Sequence, residues 1–544
     1  MKIGVCDNHD SGAVLYSKKI ESAVNEERLS RKKLTKNFPS ESIKHLLKQN
    51  VSEFIVASKF TPINVERFFL TLKKRENTNV SHFNYLFNLD ILYQSLLART
   101  SLHFIESAPR KLYLFSKLKK KISFVDHHFA HAAASYYTSG FKKALIITMD
   151  GLGDGLSLTI NIGKHRNLKR IYSETGLSAV SSYFSRWTEY LGLKPNKDEG
   201  KIVGLAAKGN PEKLLPIMRK QFYFNKKGFN KVNYIFPSKN YKKSFPELKR
   251  YSKEDIAASV QKNFELEVSK FVQYWIKKTG IKNLCLSGGA FSNIKLNQRL
   301  HELDDVSNIY IFPHMGDGGL ALGAILAKQK PSPFEFENLY LGPEYNDKEV
   351  EEILKKHKLK YRKLKNIEDK VALYLSKGKI VSRFNGRMEY GPRALGNRSI
   401  LFHPSRKEST EKLNKNLKRP GFMPLAPTIL KEKAKKCIKN LKGAEYTSRF
   451  MTITFKCTKW MQDNCPAVVH VDRTVRPQIL NKSENPSFYK IIKKFMTITG
   501  IPLVGNTSFN VHGEPIVCSP DDAVRTFKKA KLDYMAINDY LVEQ

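Results

Sequence analysis

The run Asp126-His127-His128-Phe129-Ala130-His131 sets two imidazoles, His127 and His131, four residues apart. On a helix that spacing puts both rings on one face, where their nitrogens can share a metal ion. Solvated or core histidine pairs show the same spacing, but three of the chain's 14 histidines fall within these five residues. Carboxylates that can complete such a set are at hand. Asp150 ends an apolar strand pattern, and Asp317 lies in the turn Pro313-His-Met-Gly-Asp-Gly-Gly319. Two imidazoles and two carboxylates suit Fe, Mn or Zn rather than a soft copper site.

Glycine turns at strand ends form a second group. They occur at Asp7–Ala13, Asp150–Gly155, Ser287–Gly289 and Gly316–Gly319, with Asp198-Glu-Gly-Lys201-Ile-Val-Gly204-Leu-Ala as a further polar turn. Such turns let backbone N–H groups approach phosphate, and a turn that enters a helix adds a favourable dipole. Singly each is no more than a turn. A third group is cationic: Arg387, Arg393 and Arg398 are interleaved with glycines, followed by Lys418-Arg419, His470-Val-Asp-Arg-Thr-Val-Arg476 and Asn506-Thr-Ser508. Any one of these suits a solvated surface, whereas together they describe an anion pocket with bidentate donors.

The elements that must hold these groups follow from periodicity. Lys2–Cys6, a small-residue turn and Val14-Leu-Tyr read as strand, turn, strand, and Ala144–Met149 with Leu156–Ile160 repeat the design. Asn283–Leu286 leads through Ser287-Gly-Gly into a helical pattern. A duplicated α/β nucleotide-binding architecture is expected. The Pro-punctuated stretch Lys328-Gln-Lys-Pro-Ser-Pro-Phe334 reads as a linker, which divides the chain into residues 1–335 and 336–544. A lysine-rich, helical-pattern segment from about Pro62 to Lys121 reads as an insertion.

Composition bounds the rest. The 544 residues carry 94 Lys+Arg against 51 Asp+Glu, a formal charge of +43, over an ordinary 41% hydrophobic content. With 33 Phe and 24 Tyr, intrinsic disorder is excluded, and the length calls for more than one core. Six scattered cysteines form no CxxC pair and fit a reducing compartment. With no long apolar run and no signal-peptide pattern, a soluble cytoplasmic protein without a membrane partner is expected. Residues 201–250 hold 13 Lys+Arg against 2 acids, and 351–450 hold 27 against 9. A lysine-rich host proteome or a polyanionic partner accounts equally for that excess.

Taken in order, these segments resemble the carbamoyltransferase family that includes nodulation protein NodU and the antibiotic-pathway O-carbamoyltransferases. The matching motifs are the His-Asp-Ser near the N-terminus, His127-His-Phe-Ala-His131, Asp150-Gly-x-Gly-Asp, Glu199-Gly-Lys-Ile-Val-Gly-Leu-Ala, Leu286-Ser-Gly-Gly-Ala-Phe-x-Asn293 and Gly316-Asp-Gly-Gly-Leu-Ala-Leu-Gly-Ala324. They continue through Arg387-Met-Glu-Tyr-Gly-Pro-Arg-Ala-Leu-Gly-Asn-Arg-Ser399, His470-Val-Asp and Gly505-Asn-Thr-Ser-Phe-Asn510. The resemblance implies an N-terminal actin-like ATPase (TsaD-like) duplicated α/β domain and a C-terminal YrdC-like α/β domain. It also implies that ATP, with Mg2+, and carbamoyl phosphate form carbamoyl adenylate in the second domain, and that an acceptor hydroxyl takes the carbamoyl group in the first.

By the same resemblance, His127, His131, Asp150 and Asp317 hold one divalent metal, expected to be Fe2+ with Mn2+ or Zn2+ as alternatives, and His9 or Asp10 is the base. Gly153, Glu199, Lys201, Gly204, Ser287, Gly288, Gly289 and Asn293 are the expected adenylate contacts. Arg393, Arg476, Asn506 and Ser508 fall on motif positions of the adenylate-forming site, to which Arg387, Arg398 and His470 are added. One segment departs from the family's Lys-x-Arg-Glu-x-Phe-Arg-Pro pattern: this chain reads Leu417-Lys-Arg-Pro-Gly-Phe-Met423-Pro, so Lys418 or Arg419 is expected to take over phosphate contacts.

The acceptor is approached through charge. Residues 221–245 interleave rings and bases, including Lys226, Lys227, Lys231, Tyr234 and Lys239. Such a segment either tracks a nucleic acid, with bases stacked on its rings, or is a small subdomain whose rings form a core. The preferred acceptor is the hydroxymethyl group of a modified base in DNA. A sugar, antibiotic or glycan hydroxyl and a tRNA threonylcarbamoyl modification are the alternatives.

Overall fold

The computed structural model describes all residues except 8, 36–37, 48–49, 58–119, 177, 179, 231–244 and 419–424. Nearly all of the expected insertion, together with Lys231, Tyr234, Lys239, Arg419 and Met423, lies outside the described residues.

Two five-stranded sheets form the N-terminal part. The first contains β1 (Lys2–Cys6), β2 (Gly12–Tyr16), β3 (Ile20–Asn25), β4 (Glu53–Ala57) and β5 (Lys121–Val125), in the order β3-β2-β1-β4-β5. Strands β1 to β3 run antiparallel, while β4 and β5 run parallel to β1. In the second sheet β6 (Lys143–Gly153), β7 (Leu156–Lys164) and β8 (Asn167–Thr175) precede a short hairpin of β9 (Phe224–Asn225) and β10 (Gly228–Phe229). Next come β11 (Asn283–Ser287) and β12 (Asn308–Ile311), and the sheet order is β12-β11-β6-β7-β8. Strands β6 to β8 are antiparallel, and β11 and β12 are parallel to β6. Reversed, this order is that of the first sheet with the same directions, so the fold is the duplicated α/β unit of actin-like type.

Helices His127–Tyr137 and Leu320–Gln329 lie between the sheets, and their alanines and leucines are buried almost without exception. The 27-residue helix Lys253–Thr279 covers the other face of the second sheet. Ser252 caps its start by accepting the Asp255 N–H, and Gly280 ends it in the left-handed region at φ 66°. Phe222, Phe224 and Phe229 of the hairpin region pack in tilted and edge-on contacts against Phe264 and Phe271 of this helix. Among the described residues Phe222 and Phe229 are core and Phe224 is half-buried beside them, while Tyr223, Lys226 and Lys227 stand exposed.

Past the Pro-rich stretch, one eight-stranded mixed sheet dominates. Its strands are β13 (Tyr361–Lys363), β14 (Val381–Phe384), β15 (Arg398–Phe402), β16 (Ala426–Leu430), β19 (Gln478–Leu480), β20 (Leu503–Ser508), β21 (Tyr534–Ile537) and β22 (Tyr540–Glu543), while β17 (Phe455–Lys456) and β18 (Thr474–Val475) pair separately. The order is β13-β22-β21-β14-β15-β20-β16-β19. Helices Ile367–Ser376 and Pro486–Thr499 pack together on one face, burying Val371, Leu375, Ile491 and Phe495 against Val381, Leu401 and Val504. Leu401 faces that cluster while Ile400 and Phe402 face the other, the alternation expected of a strand covered on both sides. Among the described residues no helix is long and apolar enough to cross a membrane, and all six cysteines are buried and unpaired in disulfides.

Candidate active site

Asp126 caps the helix His127–Tyr137 by accepting the Phe129 N–H at 2.8 Å, and the Asp154 carboxylate accepts the His127 N–H at 2.8 Å. These bonds anchor the first turn. With the helix phase fixed, His127 and His131 point to the end of β6, where Asp150 stands, and to the turn that bears Asp317. One ligand atom from each of His127, His131, Asp150 and Asp317 lies within 4.8 Å of the others. His127 Nε2 is 3.0 Å from Asp150 Oδ2 and 3.6 Å from Asp317 Oδ1, and His131 Nε2 is 3.4 and 3.6 Å from the same oxygens. Both imidazoles are buried. A Cβ on Gly153 would stand 2.1 Å from the His127 ring, so glycine there is what admits the imidazole.

Surrounding bonds orient the set. Ser287 Oγ donates to Met315 O at 3.3 Å and lies 3.2 Å from His131 Nδ1, which assigns the His131 proton to Nδ1 and leaves the Nε2 lone pair facing the carboxylates. That Nε2 is buried without a hydrogen-bond partner. The Gly289 N–H donates to Asp150 Oδ1 at 3.2 Å. Gly288 makes the turn possible at φ 107°, with a Cβ there falling 2.1 Å from Met149 O. Burial would push the Asp150 carboxyl up, yet the hydrogen bond from His127 and the charge of the two imidazoles hold it well below the usual range. Asp317 is raised well above it, by burial and by the charge of Asp150. Burial pulls His127 down, but Asp317 and Asp150 more than offset this. The centre thus demands positive charge, and an orphaned imidazole nitrogen beside two carboxylates meets the donor requirement of a divalent ion.

The neighbouring His128 is different. Its Nδ1 lies 2.7 Å from Thr148 Oγ1 and its Nε2 3.0 Å from Leu156 O, and burial lowers it to about 3. It is a neutral, fully bonded core group. Beside the His/Asp cluster, the β1–β2 turn holds Asp10 at φ 60°. Asn25 Nδ2 donates to the Asp10 carbonyl at 3.3 Å, and His314 Nε2 lies 2.9 Å from Asn25 Oδ1. Burial and the charge of Glu27 push the Asp10 carboxyl up to about 7. His9 Nδ1 is 3.9 Å from Asp10 Oδ2.

Other expected adenylate contacts are engaged within the fold. Glu199 accepts from Ser185 and from the Asn196 N–H, Lys201 pairs with Asp198 at 2.9 Å, and Gly204 is buried in the helix Glu199–Ala206. Asn293 caps the helix Ile294–His301 and exchanges amide hydrogen bonds with Gln261.

The C-terminal arginines separate by environment. Arg387 donates to the carbonyls of Glu21, Leu341 and Gly342. Arg398, fully buried, donates to those of Asn385, Asn397, Pro343 and Gly386 and stacks 3.6 Å over the Phe384 ring. Arg393 makes no hydrogen bond or ion pair with the described residues, its Nε is buried, and burial lowers it to about 10, where it still carries its charge. Glu389, which sequence pattern did not single out, accepts the N–H groups of Leu395, Asn397 and Arg398 and so shapes the loop that bears Arg393. Asn506 Nδ2 donates to Ala394 O on that loop at 3.3 Å and to Thr428 Oγ1 at 2.9 Å. Ser508, two residues on in β20, pairs with Ser399, and its Oγ is 2.5 Å from Asn510 Oδ1. His470 Nδ1 is 3.1 Å from Asp472 Oδ1, which pairs with Lys295 of the N-terminal part, Arg476 follows β18 with a buried Nε, and Lys418 is exposed.

Residues 1–326 match the family model described as Carbamoyltransferase N-terminus, and residues 372–544 match Carbamoyltransferase C-terminus. The chain is 32% identical to an uncharacterized protein, MJ1051, of Methanocaldococcus jannaschii, over 100% of both. It is 30% identical to nodulation protein NolNO of Sinorhizobium fredii, covering 98% of this chain and 79% of the relative. It is also 30% identical to nodulation protein NolO of Bradyrhizobium diazoefficiens, covering 77% and 79%.

Proposed function

Because this chain belongs to the carbamoyltransferase family, we propose that it is an ATP-dependent O-carbamoyltransferase with two separate sites. The single observation that carries this reading is the convergence of His127, His131, Asp150 and Asp317 in one part of the molecule. Water cleaves carbamoyl phosphate to carbamate and phosphate in the C-terminal part, near residues 336–544. A carbamate oxygen then attacks the α-phosphorus of ATP and expels pyrophosphate, giving carbamoyl adenylate. The charge of Arg393, which no described residue pairs, supports binding of these anions. In the N-terminal part an acceptor hydroxyl attacks the carbamoyl carbon, the carbon–oxygen bond to AMP breaks, and the hydroxyl proton passes to Asp10 or His9. A divalent ion held by the two histidines and two aspartates, Fe2+ in preference to Mn2+ or Zn2+, would supply Lewis-acid charge to the reacting oxygens. Gly289 orients Asp150, and Ser287 orients His131, for that purpose.

Pyrophosphate release measured with ATP alone and with ATP plus carbamoyl phosphate tests the first step. Release that depends on both substrates is expected, and release indifferent to carbamoyl phosphate would refute the reading.

The base has its own signature. With the Asp10 carboxyl near 7, half of it is ionised at that pH, so the transfer rate should climb with unit slope on the acid side and level above about pH 7. Asp10→Asn should abolish this limb. If His9→Asn abolishes it and Asp10→Asn does not, the roles are reversed.

For the acceptor we favour a hydroxymethylated base in DNA, presented flipped or single-stranded. Support comes from a hollow whose floor is the buried Phe271 and Trp275 and whose rim carries the half-buried rings of Tyr172, Phe224 and Tyr274 beside the exposed Lys226 and Lys278, with no acidic residue in its lining. Rings beside cations suit a stacked base and its phosphate. The double variant Lys226→Glu/Lys278→Glu should weaken DNA binding and flatten the slope of log affinity against log salt by about two. A flat slope in the unaltered protein would replace DNA with a sugar or glycan acceptor.

A further inference from the structure

The turn that carries Asp317 is Gly316-Asp-Gly-Gly319, three glycines around one aspartate. Such a backbone has more freedom than any other to lose on ordering, so the position of the Asp317 carboxylate depends on what grips the turn from outside. Within the turn the Gly319 N–H bonds the Gly316 carbonyl at 3.0 Å. Just ahead of it Gly288 and Ser287 hold the Met315 carbonyl at 2.7 and 3.3 Å, and the grip on a carbonyl of the turn itself comes from the C-terminal part of the chain. Tyr390, buried, donates its hydroxyl proton to the Gly318 carbonyl at 3.0 Å, and its ring meets the His314 imidazole edge-on with centroids 5.0 Å apart. His314 begins the same turn and holds Asn25, which in turn holds the Asp10 carbonyl. On its own side, Tyr390 follows Glu389, whose carboxylate shapes the loop that bears Arg393, and the next residue's carbonyl accepts from Arg28 of the N-terminal part at 3.0 Å.

We infer that Tyr390 is a positioning residue for Asp317: the adenylate-forming half supplies the hydroxyl that completes the transfer centre in the other half. The inference rests on the metal-assisted transfer proposed above. It explains why a side chain only three residues from Arg393 is aimed across the boundary into the metal turn and away from its own pocket.

The test compares the full-length protein with Tyr390→Phe, which removes one oxygen and keeps the ring, and with Tyr390→Leu, which removes the ring, melting temperature serving as the folding control. Mn2+ binding to metal-stripped protein is measured by electron paramagnetic resonance. Pyrophosphate release and carbamoyl transfer are assayed separately. Tyr390→Phe should bind Mn2+ about tenfold more weakly and lose about tenfold in kcat for transfer, as removal of an outer hydrogen bond to a metal centre does. Carbamoyl-phosphate-dependent pyrophosphate release and the KM for ATP should not change. Mn2+ affinity equal to that of the unaltered protein, or an equal fall in both half-reactions, overturns the inference. Failure of the unaltered protein itself to bind Mn2+ marks instead the failure of the underlying metal assignment, and removes the inference with it.

Discussion

Asp150→Asn should abolish metal binding and lower carbamoyl transfer by about 10³-fold while leaving adenylate formation intact. Asparagine keeps the size of the side chain and an oxygen for the Gly289 N–H, so the β6–β11 junction is preserved. It removes the charge that both imidazoles face. Lewis-acid stabilisation of the reacting oxygens is worth several kcal/mol, and each 1.36 kcal/mol is about tenfold in rate, which sets the expected loss. The substitution also relieves Asp317, which is raised in part by the Asp150 charge. Relief of Asp317 offsets part of the stability lost with the Asp150 charge, which His127 and His131 favour, and the melting temperatures of the metal-free variant and parent serve as the folding control. Stoichiometric metal in the purified variant would contradict the assignment of the four ligands.

Arg393→Ala should have the complementary effect, with pyrophosphate release reduced by about 100-fold or more and metal binding untouched. Hydrogen bonds from a charged group to an anion contribute about 1.5–3 kcal/mol each, and a guanidinium offers two in parallel. Arg387 and Arg398 cannot substitute, because backbone carbonyls already hold their guanidinium N–H groups. Lysine at 393 should restore little, since a point charge does not reproduce the fork. Removing a largely buried cation that no described residue pairs should leave the melting temperature equal or higher, which separates a binding role from a structural one. Unchanged pyrophosphate release in Arg393→Ala would move the anion site elsewhere.

Local pattern made the four-residue spacing of His127 and His131, the strand-end placement of Asp150 and the repeated strand-turn-strand design legible in the sequence, because each depends on neighbours within one element. What the sequence hid depends on distant partners. Arg387, Arg393 and Arg398 are alike in type and setting, yet two are held by carbonyls from Glu21, Leu341, Pro343 and Asn385, and only folding reveals which is left over. His314 and Asn25 stand far apart in the chain and meet only in the assembled turn. Asn293 lies in a motif, but its amide is divided between a helix start and Gln261. The aromatic residues near 222–229 illustrate a further limit: their interleaving with lysines fits both a stacking platform and a core, and the long helix Lys253–Thr279 decides for the core by offering Phe264 and Phe271. The hollow formed where Tyr172, Tyr274 and Trp275 come together belongs to no single segment.

The most direct test is the mass of the product. Metal-loaded protein incubated with ATP, isotopically labelled carbamoyl phosphate and a panel of hydroxymethylated DNA, sugars and glycans should yield an acceptor heavier by one labelled carbamoyl group, with one AMP per transfer. An acceptor carrying a threonylcarbamoyl increment, or carbamoylation that proceeds without formation of AMP, would contradict the account.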